Sequence, residues 1–217
     1  MIGEFFIISR RINKKIKSVF TDKSDKILDL GCGSNPKYHK SINGRILCFD
    51  KTESKITDVV GDANNLPFRA NSFDKIISVN SFYYFDNPFK VVKDVHKILK
   101  NSGKLILIMP FIYPIHDAPH DKYRFTEFGI RELLKGYFYV KEIKTIGGIF
   151  NLPAVFLHSL LKGLPLVAPK KIRILIKVLA IIALYPFYVI AQILSLLDFL
   201  DITRRWPTYY FVVAEKR

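Results

Sequence analysis

The segment Ile27-Leu28-Asp29-Leu30-Gly31-Cys32-Gly33-Ser34-Asn35-Pro36 constrains this chain more than any other. A short apolar strand runs into a glycine turn, with an acid just ahead of the glycines. Without side chains at positions 31 and 33, a ligand can press on bare backbone at the carboxyl end of a strand, where open α/β sheets bind their ligands. Asp29 can neutralise a cationic ligand group or hold an ammonium there. Leu47-Cys48-Phe49-Asp50 reads as a second strand ending in an acid. That acid falls about 20 positions after Gly31, near the spacing at which a carboxylate meets a ribose in nucleotide-binding βαβ units. Two dinucleotide features are absent. Pro36 stands where the third glycine of G-x-G-x-x-G would fall, and no Lys-Ser/Thr pair follows the loop. A loop that need not hold a pyrophosphate suits an adenosine ligand with an amino-acid tail.

On these residues the chain resembles the class I S-adenosylmethionine-dependent methyltransferases, of the type 11 kind, whose first motif reads like ILDLGCGSNP. The resemblance continues in order through Gly61-Asp62-Ala63-Asn64-Asn65-Leu66-Pro67-Phe68, through Phe73-Asp74-Lys75-Ile76-Ile77-Ser78-Val79-Asn80, and through Val95 to Ile108. It covers about residues 25 to 150 and a last strand near the C-terminus. It implies S-adenosylmethionine as cofactor, contacted by Asp29, Gly31, Gly33, Asp50, Asp62, Ala63 and Asn80. Asp50 would accept from the ribose hydroxyls, Asp62 and the Ala63 backbone would face the adenine, and Asn80 would lie where the fourth strand opens toward the methyl group.

Alternating strand and helix patterns predict strands at 26–30, 45–49, 57–60, 73–79, 103–109, 138–146 and 208–215. Such alternation implies a mostly parallel sheet with helices on both faces. The expected fold is therefore α/β, a Rossmann-like doubly wound seven-stranded sheet whose last strand is antiparallel, in one domain spanning 25–148 and 206–217. Residues 1–24 read as a basic amphipathic helix. Ile8, Ile12, Ile16 and Val19 recur at helical spacing among Arg10, Arg11, Lys14, Lys15 and Lys17. This helix could cover the sheet, touch a membrane, or do both. Its apolar piece, Phe5-Phe6-Ile7-Ile8, precedes the charges and no small-residue cleavage site follows, which is not the order of a secretory leader.

Residues 149–205 depart from the family pattern, which joins the sixth and seventh strands by a short turn. Two apolar segments intervene here, Ile149 to Ala168 and Ile172 to Leu200, and Val178–Leu197 carries no charge. A run of about 20 such residues is long enough to cross a bilayer. Both ends of the insertion join one sheet, which argues against a single crossing. Two crossings would put Lys170, Lys171 and Arg173 on the far side, against the positive-inside tendency. Pro153, Gly163, Pro165 and Pro169 punctuate the first segment, and Pro186 would kink the second. A shallow hairpin in one leaflet fits this pattern; a buried lid or a dimer interface is the alternative.

The formal charge is +15, from 34 basic and 19 acidic residues, yet 49% of the chain is hydrophobic. The charge favours a polyanionic partner, and an anionic membrane face accounts for both properties where nucleic acid accounts only for the first. Cys32 and Cys48 cannot build a disulfide framework or a complete zinc site, and read as small buried residues in a reducing cytoplasm.

The acceptor side is expected after the fifth strand, in Pro110–Thr126, at the edge of the sheet where ligands bind. This stretch, His116-Asp117-Ala118-Pro119-His120-Asp121-Lys122-Tyr123-Arg124-Phe125-Thr126, also resembles one in methyltransferases encoded with bacterial surface-glycan genes. His116 or His120 could serve as the base, near neutrality in pKa, and Arg124 could hold a carboxylate or phosphate of the acceptor. A purely structural loop is the alternative, with Asp121 pairing with Arg124 and Thr126 capping a helix. His116 and His120 also have the spacing of metal ligands, but Pro119 interrupts any helix that would align them, so no metal is expected. The resulting expectation is a methyltransferase at the cytoplasmic membrane face, peripheral or monotopic, acting on a small or lipid-linked amphiphilic acceptor. The alternatives are a nucleic-acid methyltransferase and a non-catalytic membrane adaptor. The first lacks the Asn/Asp-Pro-Pro-aromatic motif, Asn80-Ser81-Phe82-Tyr83 standing in its place. The second would have no reason to keep the glycine loop and both downstream acids.

Overall fold

The two ends of the glycine segment lie on different kinds of structure: Lys26–Leu30 forms strand β1, and Lys37–Ser41 a short 3-10 turn. The computed structural model describes residues 6–217, so the first five positions of the predicted N-terminal helix, Phe5 included, lie outside the described residues. The described chain divides into two compact units. One comprises Ile12–Phe111, Ile115–Lys144 and Tyr209–Arg217; the other comprises the chain up to Arg11, Ile112–Pro114 and Thr145–Thr208.

The larger unit is built on a seven-stranded sheet. Its strands are β1, β2 (Arg45–Asp50), β3 (Val59–Val60), β4 (Phe73–Val79), β5 (Leu99–Pro110), β6 (Phe138–Ile146) and β7 (Tyr209–Lys216), in the order β3-β2-β1-β4-β5-β7-β6. Strands β3, β2, β1, β4 and β5 run parallel, and β7 pairs antiparallel with β5. The doubly wound fold expected of the sequence is the one observed. Ile27, Leu28 and Leu30 of β1 are fully buried, as is the apolar run Leu105–Ile108 of β5. Continuous apolar runs of this kind mark strands covered on both faces. Each such side chain contributes roughly 1.5–3 kcal/mol of burial free energy.

Helix α2 (Pro88–Ile98) starts where Asn87 accepts the amide of Lys90 at 3.0 Å and Pro88 occupies the first turn. It buries Val91, Val92, Val95 and Ile98. Helix α3 (Glu127–Leu134) is capped by Thr126, whose Oγ1 accepts the Gly129 amide at 3.1 Å, and it buries Ile130, Leu133 and Leu134. Two strand limits differ from expectation by more than one residue. Strand β3 is shorter than 57–60: the Asp58 carboxylate takes the Cys48 amide at 2.7 Å where a backbone carbonyl would, the Asp58 amide donates to the Cys48 carbonyl at 2.9 Å, and the ladder pairs begin at Val59. Strand β5 starts at Leu99 and not at 103, since Leu99 already pairs with Phe73. The next pair is Lys75 with Lys104, so residues 100–103 bulge out between them.

The N-terminal helix α1 (Phe6–Val19) buries Ile8, Ile12 and Ile16. Phe20 completes the stripe in place of Val19, which is half-buried. The second half of α1 lies on the sheet: Lys15 bonds Glu142 at 2.9 Å and its ammonium sits 5.8 Å from the Phe211 ring. This stripe packs into the protein's own interior, as the sheet-covering reading of the helix expects.

The smaller unit contains the insertion, helices α4 (Leu152–Val167) and α5 (Arg173–Leu194), which pack on each other and connect β6 to β7. Both are long and apolar enough, with their flanking turns, to cross a membrane. Helix α4 runs through Gly163 and Pro165 and α5 runs unbroken through Pro186, so only Pro169 acts as a break. Pro153 falls in the first turn of α4, where its missing N–H costs nothing. The base of the hairpin is tied by polar contacts. Arg11 bonds Asp198 and the carbonyl of Ser195, each at 2.8 Å; Asp201 accepts the Ile149 amide at 3.1 Å; Asn151 donates to Thr208 at 2.7 Å. Beyond the base, only 17% of the most apolar window of Lys170–Leu200 is buried. Phe156, Leu166, Ile174, Ile182, Phe187 and Phe199 stand exposed.

Candidate active site

Strands β1, β2 and β4 deliver their carboxyl ends to one edge of the sheet. Past β1, the amide of Gly31 donates to the Phe49 carbonyl at 2.8 Å, which turns the chain sharply. Gly31 and Gly33 adopt φ of +77° and +65°. The amide of Gly33 donates to Asp50 Oδ2 at 2.8 Å, and Thr52 donates to Oδ1 at 2.9 Å. The glycine loop and the acid ending β2, paired in sequence only by spacing, are thus in direct contact. The Gly61 amide bonds the Asp50 carbonyl at 2.9 Å, which sets Asp62 and the buried Ala63 beside the end of β2. Asp62 caps the 3-10 turn Ala63–Asn65 through the Asn64 amide at 2.8 Å.

Asn80 directly follows β4 with φ of +54°, and its amide donates to the Ile108 carbonyl at 2.9 Å. Its Oδ1 is buried and accepts no hydrogen bond. Asp29 is fully buried on β1. Its Oδ2 accepts from the Tyr38 hydroxyl at 2.7 Å and contacts His39 Nε2 at 2.6 Å, while Oδ1 accepts no hydrogen bond. Burial pushes the Asp29 carboxyl up, and the bonds from His39 and Tyr38 offset only part of that rise. Asp29 Oδ1 and Asn80 Oδ1 are buried oxygens without donors, and a Cβ at Gly33 would meet nothing within 4 Å; these features fit a ligand carrying N–H and O–H donors.

The segment carrying His116, His120 and Arg124 lies against the chain that follows Asn80. The Lys122 amide donates to the Tyr83 carbonyl at 3.1 Å, Lys122 pairs with Asp86, and the Tyr123 hydroxyl donates to the Asp86 carbonyl at 3.1 Å. Arg124 stacks 5.2 Å over the Tyr83 ring and grips Asp121 with both terminal nitrogens. Asp121, 2% exposed as a side chain, also accepts the His116 amide at 2.9 Å. Burial works to raise the Asp121 carboxyl, but Arg124 and the His116 amide outweigh it and hold it below the usual range. The guanidinium fork of Arg124 is therefore spent on Asp121, as the structural alternative anticipates. His116 and His120 are exposed, and residues 115–125 form neither helix nor strand.

Sequence reasoning missed Tyr38, His39 and Ser81. The first two reach Asp29 only through the 3-10 turn after Pro36. Ser81 locks the loop by donating to the Gly31 carbonyl at 2.7 Å. No periodicity marks these residues; a Tyr-His pair about ten positions after the motif acid was the available signal. Cys32 and Cys48 are free, buried thiols, and burial pushes Cys48 up to about 11. The donor atoms of Asp29, His39 and Cys48 fall within 4.8 Å of one another. The 2.6 Å contact in that group is a hydrogen bond, shorter than the about 3.3 Å separating two nitrogen or oxygen ligands around tetrahedral zinc.

Residues 28–107 match the family model described as a methyltransferase domain. An uncharacterized protein of Methanocaldococcus jannaschii, MJ1252, is 30% identical over 149 residues, covering 64% of this chain and 51% of its own. The demethylmenaquinone methyltransferase of Thermotoga maritima is 29% identical over 143 residues, covering 58% and 56%. The chain spans about half the length of the curated relatives it matches. Among solved structures, Haemonchus contortus phosphoethanolamine N-methyltransferase 2 in complex with S-adenosyl-L-methionine superposes with a TM-score of 0.56 at 18% identity, over 95% of this chain and 52% of that one. At that identity the likeness is one of fold.

Proposed function

We propose that this chain, which carries an S-adenosylmethionine-dependent methyltransferase domain, methylates an amphiphilic acceptor at the inner face of a membrane. The observation that carries the cofactor half of the reading is the bond from Gly33 to Asp50, which fixes glycine loop and acid as one surface. S-adenosylmethionine, when bound, supplies a methyl group already activated by its sulfonium, so the protein's task is chiefly to position and to exclude water.

Each proposed role follows from what the residue already does. Asp50 is oriented by two backbone amides and keeps lone pairs for ribose hydroxyls. Asp62 spends Oδ1 on Asn64, which leaves Oδ2 for the adenine amino group, beside Ala63. The backbone of Gly31 and Gly33, with the unsatisfied oxygen of Asp29, receives the amino-acid tail, and Asn80 lies toward the methyl group. His116 or His120 takes the proton released by the acceptor. Arg124 acts through Asp121 as a positioning residue, holding the His116 amide and the loop over Tyr83.

The acceptor class rests on two observations. A demethylmenaquinone methyltransferase is among the relatives, which supports a quinone-type, amphiphilic acceptor. The exposed apolar sides of α4 and α5, joined by a turn that carries Lys170, Lys171 and Arg173, suit a leaflet with anionic headgroups. Titration calorimetry with S-adenosylmethionine tests the reading. Binding by the folded wild type, abolished in Asp50→Ala, is expected; no binding by folded protein would overturn it.

A further inference from the structure

A second concavity opens on the sheet beside the end of α1, at the amino half of β4, whereas the glycine loop follows the carboxyl end of β1. Its volume is about 660 Å3, and it is lined chiefly by Lys75, Lys104, Lys141, Lys144, Glu142 and Ser18. Four lysines against one carboxylate is a composition the methyl-transfer reading does not use.

The charges are arranged unevenly. Lys75 pairs with Asp25, Lys141 reaches Glu215 at 3.5 Å, and Lys144 shares Glu142 with Lys15, each at 2.9 Å. Lys104 is half-buried and has no carboxylate within 4.0 Å among the described residues. It is also the register partner of Lys75 on the neighbouring strand, so the two rise side by side from one face. Like charges placed directly opposite destabilise a sheet. Its other register partner is Glu215, but that carboxylate engages Lys141 instead. A half-buried ammonium facing a like charge, at the wall of a cavity with further ammonium groups around it, is stabilised by an anion that bridges them.

We propose that this cleft binds a phosphate-bearing anion, with Lys104 as its central contact and Lys75, Lys141 and Lys144 around it. Lysine serves phosphate as a mobile point charge, and several converging lysines favour a multiply charged group over a single carboxylate. The group is either a soluble phosphate ester or pyrophosphate, or the headgroup of an anionic phospholipid. The site is separate from the cofactor loop and does not depend on the methyltransferase reading.

The test uses the full chain and inorganic pyrophosphate in titration calorimetry. Wild type should bind it, and Lys104→Gln should bind roughly tenfold more weakly or worse, the loss expected of one charge-assisted contact. Lys141→Gln, an exposed change that spares the fold, should weaken binding to a smaller degree. Both variants should bind S-adenosylmethionine as wild type does, which separates this site from the cofactor loop. Flotation with phosphatidic acid vesicles distinguishes the sources: flotation competed by pyrophosphate and reduced in Lys104→Gln assigns the headgroup. Pyrophosphate binding without such an effect on flotation assigns a soluble phosphate. No pyrophosphate binding by wild type, or binding unchanged in both folded variants, would overturn the proposal.

Discussion

An added Cβ at Gly31 would meet Ser81 Cβ and Oγ at 2.5 Å, the hydroxyl that locks the loop, whereas one at Gly33 would meet nothing within 4 Å. The two glycines are thus needed for different reasons, which the sequence presents as one motif. Gly31→Ala must displace Ser81 and adopt an unfavourable φ, so it should unfold the domain or lower its melting temperature sharply. Gly33→Ala pays only the conformational cost, roughly 1 kcal/mol, and should remain folded. Its methyl group would then project into the open space there, so calorimetry should show lost S-adenosylmethionine binding with the melting temperature nearly kept. Retained affinity in Gly33→Ala would place the ligand elsewhere. That Asp50 meets the glycine loop, and that Gly61 to Ala63 follow beside the end of β2, was legible from spacing because strand rise and turn length fix those offsets. Tyr38 and His39 were not, because their contact with Asp29 is made by a turn that returns onto the strand.

At the scale of elements, one buried carboxylate, Asp121, gathers the His116 amide and Arg124 within the chain between β5 and α3. Asp121 is held below its ordinary pKa, so the sign is that of a depressed acid: its stabilisation is present above the unfolded value of about 3.9 and lost as pH falls through the folded one. Hydrogen exchange at the His116 amide should stay slow at neutral pH, relative to Asp121→Asn, and lose that protection below about pH 4. Equal exchange in both proteins at neutral pH would contradict the anchoring role. Strands β1 and β4 were legible to the residue because their runs are buried on both faces. The early start of β5 was not, since its bulge depends on Leu99 finding Phe73. The helical stripe of α1 was legible, but what covers it is a tertiary fact: Phe20 takes the last position, beyond the helix itself.

The whole molecule combines a charge of +15 with an apolar insertion whose side chains are largely in solvent. Ile174 and Ile182 are 79% and 68% exposed. Replacing both by Glu costs the fold little, because neither packs inside, yet it would place charge on the proposed bilayer face. The double variant should keep the wild-type melting temperature and lose flotation with anionic vesicles. Flotation at the wild-type level would refute the membrane role of the hairpin. The insertion's helices were visible in the sequence as uncharged runs. Their partner was not, because a run of this length serves a bilayer, a lid or a second subunit equally well until burial is known.

The central claim joins the cofactor loop to an amphiphilic acceptor. It is tested most directly by incubating the full chain with cell membranes and S-adenosylmethionine labelled in its methyl group, then partitioning the products. The account predicts label in the organic, lipid-bearing phase, absent with Gly33→Ala. Label confined to RNA or protein, or no transfer by wild type that binds the cofactor, would contradict it.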